Sequence, residues 1–129
     1  MKIFRWFRNE SPDSVMEAYI RKQPPSYWEQ LRLSYSVIKE LITVSQSNDP
    51  QGLYFLLDDI LAKSTREKYM IGVVHNHFVQ IVTEVGTKQQ KEAVKKLGFN
   101  SAYLALLKNF EDLKTQYESF QLTNRAFRL

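Results

Sequence analysis

Apolar residues recur along this chain at the three-and-four spacing of amphipathic helices, in blocks separated by helix caps. Ser11-Pro12 reads as an N-cap followed by proline in the first turn, where the helix dipole favours Asp13. Val15, Met16, Tyr19 and Ile20 then share one side until Pro24-Pro25 forbids continuation. A second helix is predicted from about Ser26 to Gln46 on the stripe Tyr27, Trp28, Leu31, Tyr35, Ile38, Leu41 and Ile42. Leu33, Val37 and Val44 form another stripe on a different side, the mark of a central helix or of one that offers a face to a partner. Asn48-Asp49-Pro50 opens a third helix, in which Leu53, Leu56, Leu57, Ile60 and Leu61 keep helical spacing while Asp58 and Asp59 fall off the stripe.

Ser64 to Glu67 spells a capping box for a fourth helix, with the stripe Met70, Val73, Val74, His77, Phe78, Ile81, Val82 and Val85. Ile71 and Val79 lie beside that stripe, and Gly86 is expected as its C′ residue. Thr87 with Gln90 forms a second box before Ala93, Val94 and Leu97, and Gly98 stops that helix. Asn100 or Ser101 begins the last one, on Tyr103, Leu106, Leu107, Phe110, Leu113, Tyr117 and Phe120. Residues 1–10 read as a basic, aromatic arm, and 121–129 as a loosely held tail. The expected fold is all-α: a single domain over 1–129, an antiparallel bundle of five to six helices joined by short links.

Composition narrows the chemistry. The chain has 129 residues, 43% hydrophobic and 13% aromatic, an ordinary globular balance. Cysteine is absent, which excludes disulfides and thiolate-held zinc or iron–sulfur centres. No apolar run approaches the ~20 residues of a membrane span, and Met1 to Arg8 lacks the apolar core of a signal peptide. A complete, small cytoplasmic protein is expected. The net charge of +4 is uneven: residues 24–63 carry three basic and five acidic groups, residues 64–98 six and three. Such a balance permits nucleic-acid or acidic-partner binding without demanding it.

Catalytic constellations are missing from the pattern. His75 and His77 stand about 200° apart on a helix, too divergent to hold one metal ion. His77 falls on the core stripe and is expected buried, His75 exposed. Asp58 and Asp59 diverge by about 100°, whereas paired catalytic carboxylates must converge. No glycine-rich phosphate loop, nucleophile elbow or zincin helix occurs. No enzyme activity, cofactor or metal site is therefore expected.

Two surfaces remain. Lys88, Lys91 and Lys95 sit at i, i+3 and i+7 with Lys96 adjacent, a ridge suited to phosphates. The segment from Ala93 through Leu104 resembles a helix-turn-helix DNA-binding turn, with Leu97-Gly98-Phe99 as the turn and Leu104 at an apolar position of the second helix. That resemblance implies base contacts from Asn100 and backbone contacts from the lysines, joined by Arg5 and Arg8 of the arm. The other surface is apolar and acidic: Leu33, Val37, Val44, Ile71 and Val79, with Asp58 and Asp59. It suggests a non-catalytic protein-binding module, an adaptor or an inhibitor that occludes its partner, or a homodimer through the second stripes. In general character the chain resembles the compact helical immunity proteins of bacterial toxin systems.

Overall fold

A computed structural model describes residues 11–124, with side chains through residue 118, and among these it contains six α-helices and no strand. They are α1 (Pro12–Arg21), α2 (Trp28–Gln46), α3 (Pro50–Leu61), α4 (Thr65–Val85), α5 (Lys88–Leu97) and α6 (Ser101–Asn124), with a 3₁₀ turn at Pro25–Tyr27 leading into α2. The all-α bundle is thus the observed architecture.

The caps sit where the sequence places them, although at Ser64 the Glu67 carboxylate takes the Ser64 hydroxyl, not its backbone N–H, so the expected box there is only half formed. Ser11 and Ser14 close a reciprocal box at α1, and Thr87 and Gln90 do so at α5. Asp49 accepts from the Gly52 N–H at 2.9 Å, and Ser64 from the Glu67 N–H at 3.2 Å. Each satisfies an amide that would otherwise lack a partner in the first helical turn. Gly86 departs from expectation: its φ of −71° and ψ of 157° are extended, not left-handed. Glycine is needed there because a Cβ would come within 2.6 Å of the Val82 carbonyl oxygen.

α4 lies at the centre, packed on α1, α2, α5 and α6. Burial follows from that position. Met70, Val74, Phe78, Ile81 and Val82 are buried as the stripe predicts, and so are Tyr69, Ile71, Gly72 and His75 on its flank. Gly72 lets α6 approach closely, since a Cβ would sit 3.1 Å from Phe110. α2 contributes Leu31, Tyr35, Ile38, Leu41 and Ile42 to the same core cluster, α3 contributes Leu53, Leu57 and Ile60, and α6 contributes Tyr103, Leu106, Phe110 and Leu113.

Polar links pin α1 to α2. Arg32 donates twice to Glu17, through Nε at 3.1 Å and through Nη2, and within α1 Arg21 donates to the same carboxylate at 3.0 Å. Those guanidinium contacts, Arg32 first, hold the Glu17 carboxyl down to about 2. The Tyr35 hydroxyl donates to Asp13 at 2.6 Å. The segment expected to be a loose tail from residue 121 continues as helix through Asn124. The arm at 1–10, with Arg5 and Arg8, lies outside the described residues.

Candidate protein-binding face

The outward side of α3 carries an unusual combination. With Leu53, Leu57 and Ile60 turned to the core, Tyr54, Phe55, Asp58 and Asp59 fall between about 100° and 240° around the axis from Leu53. All four are exposed, Tyr54 at 58% and Phe55 at 62%. Neither aspartate forms an ion pair among the described residues. Tyrosine and other aromatics supply much of the binding energy at protein interfaces, and burying one such ring is worth roughly 1.5–3 kcal/mol.

The sequence pointed to Asp58 and Asp59 but overlooked Tyr54 and Phe55. The signal was present in Leu53-Tyr54-Phe55-Leu56-Leu57: five successive apolar residues span every side of a helix, so some must face outward.

The remaining expected partner residues fare differently. Leu33 is 55% exposed. Val37 and Val44 are half-buried and packed on the core, and Val79 is half-buried. Ile71 corrects the expectation of surplus apolar surface, because α4 is enclosed on that flank and Ile71 is part of the core. Of the second stripe on α4, only the half-buried Val79 is left at the surface for a dimer contact.

The histidines are reversed relative to expectation. His75 is 5% exposed, and its Nε2 shares a 2.5 Å hydrogen bond with the Tyr103 hydroxyl of α6. Burial holds it neutral, with the pKa lowered to about 4. Neighbouring Asn76 acts in the opposite direction without overcoming burial, and the buried Nδ1 has no hydrogen-bond partner among the described residues. Burial also raises the Tyr103 hydroxyl to about 12. His77 is half-buried at the bundle edge, stacked on Tyr19 with ring centroids 3.9 Å apart. Among the described residues no group of three or more His, Cys, Asp or Glu is placed to hold a metal ion.

On α5, Lys88, Lys91, Lys95 and Lys96 are all exposed. Lys96 donates to the Asn48 side chain at 2.6 Å, and the other three form no ion pair among the described residues. The helix-turn-helix resemblance does not carry into the packing. α5 packs mainly on α2 and α4, and α6 on α4 and α3. Leu104, which that motif would place in an apolar seam, is 48% exposed. Asn100 is occupied as the cap of α6, its Oδ1 accepting from the Ala102 and Tyr103 N–H groups at 3.0 Å. No helix is long and apolar enough to cross a membrane among the described residues.

The fold and site thus define an all-α bundle with an aromatic, acidic helix face. No protein-family model, curated protein or solved structure matches the chain.

Proposed function

We propose that this chain is a non-catalytic protein-binding module, a cytoplasmic adaptor or immunity-type inhibitor, that receives its partner on the outer face of α3. The observation that carries the proposal is the pair of exposed rings, Tyr54 and Phe55, beside the carboxylates of Asp58 and Asp59, which form no ion pair among the described residues. Rings of this kind anchor in an apolar recess, and aspartates at the rim steer a cationic surface toward it. The matching partner presents lysines or arginines around an apolar pocket.

A second reading rests on the exposed lysines of α5, which suit the phosphates of a nucleic acid. Comparative capture separates the two. Tagged chain from the native cell is compared with Tyr54→Ser/Phe55→Ser, Asp58→Lys/Asp59→Lys and Lys88→Glu/Lys91→Glu variants, with and without nuclease. A stoichiometric protein that survives nuclease, is lost in both α3 variants and is retained in the lysine variant supports the module. Capture that depends on the lysines and vanishes with nuclease replaces it with nucleic-acid binding.

A further inference from the structure

At one end of the bundle the C-termini of α2 and α5 meet the N-termini of α3 and α6 around a cleft of about 220 Å³. Its floor is Val44, Leu53 and Leu97, and its lip is Phe99, 83% exposed. The rim is polar. Asn48 has a φ of 57°, the left-handed region that few residues other than glycine adopt. Held there, its Oδ1 receives the Lys96 ammonium at 2.6 Å and ties the α2–α3 turn to α5.

The rim carries both charges, Lys96 and Asp49. Each acceptor side chain has at least one donor: Asn48 from Lys96, Asp49 Oδ1 from the Gly52 N–H, and Asn100 from two N–H groups of α6, while the second carboxylate oxygen of Asp49 accepts no bond among the described residues. The donors are less occupied. Lys96 retains further N–H bonds, since an ammonium has three. Ser45 lines the cleft, is 4% exposed, and its hydroxyl makes no hydrogen bond among the described residues. Opening onto the cleft, that hydroxyl is free to donate to an acceptor that arrives there.

We propose that this cleft binds a small carboxylate carried on a short apolar body, with the carboxylate at Lys96 and Ser45 and the body between Val44, Leu53, Leu97 and Phe99. Charge-assisted bonds at the head and apolar burial behind it are the usual division of labour in small-molecule sites. The inference is independent of partner docking on α3.

Hexanoate, hexanol and hexylamine titrated into ¹⁵N-labelled protein test it. The expected result is saturable amide shifts at Ser45, Asn48, Lys96 and Phe99 with hexanoate, with a dissociation constant on the order of millimolar for so small a ligand. Hexanol and hexylamine bind more weakly. Lys96→Gln keeps a donor for Asn48 but removes the charge, and it weakens hexanoate about tenfold while leaving hexanol unchanged. Phe99→Ser, at an exposed position, weakens both hexanoate and hexanol. Should Lys96→Gln fail to give a dispersed spectrum, Ser45→Ala takes its place, with hexanoate again weakened selectively. Absent shifts, hexylamine or hexanol binding as tightly as hexanoate, or hexanoate affinity unchanged in the folded head-group variant would overturn the proposal.

Discussion

At the residue scale, His75 is the most consequential side chain in the core. The folded protein keeps it neutral with a pKa lowered to about 4, whereas the unfolded chain titrates near 6.5. Between those values the unfolded state binds the proton and the folded state does not, so stability falls as pH drops from 6.5 toward 4. The loss approaches about 3 kcal/mol and levels off below pH 4. Urea midpoints at pH 7.0 and pH 4.5 measure it, and a flat profile across that window would contradict the burial argument. Glu17 acts in a lower window: its stabilising contacts are present above 4.5 and are lost as pH falls through about 2. Tyr103→Phe leaves the imidazole without its partner and is expected to cost about 1–3 kcal/mol by urea denaturation at pH 7. The sequence places both histidines on the fourth helix correctly but assigns the buried role to the wrong one. A helical stripe identifies one inward side, whereas α4 has neighbours on several.

At the element scale, the C-terminal end of α4, its enclosed flank and the second stripe of α2 invite separate tests. Gly86→Ala drives a Cβ against the Val82 backbone, so it is expected to destabilise by about 1–3 kcal/mol in thermal or urea unfolding despite an allowed φ. Were glycine chosen there for left-handed backbone, φ rather than contact would set the penalty. Ile71→Ala is expected to cost about 2–5 kcal/mol, as a core truncation does. Leu33→Ala, at a surface site, should stay within about 0.5 kcal/mol. Equal costs for the two would mean that Ile71 is not enclosed. The caps at Asp49 and Ser64 and the box at Thr87 were legible because a cap depends on residues three apart, which the sequence displays directly.

At the scale of the whole molecule, positive and negative surfaces lie on different helices. Asp58 and Asp59 mark α3, and Lys88, Lys91 and Lys95 mark α5. Two salt responses follow. Association of a cationic protein with α3 should slow as salt rises, with dissociation changed less, because rim charges act mainly on encounter. Nucleic-acid binding through α5 would instead lose equilibrium affinity steeply, about one unit of log–log slope for each phosphate contacted. Stopped-flow association and equilibrium titration between 50 and about 300 mM salt separate the cases.

The sequence by itself determined that this chain is helical, where most helices begin and end, and the principal inward stripe of each. Those properties depend on residues within one or two turns of one another, and the caps at Ser11, Asp49 and Thr87 all obey them. Tertiary structure decided which flank of a broadly apolar helix is enclosed. Ile71 and His75 went inward because α4 is surrounded, while Leu33, Tyr54 and Phe55 were left facing solvent. It also decided that Asn48, Ser45 and Lys96 share one cleft. Lys96 meets Asn48 across 48 residues of chain, a separation at which local periodicity carries no information about proximity.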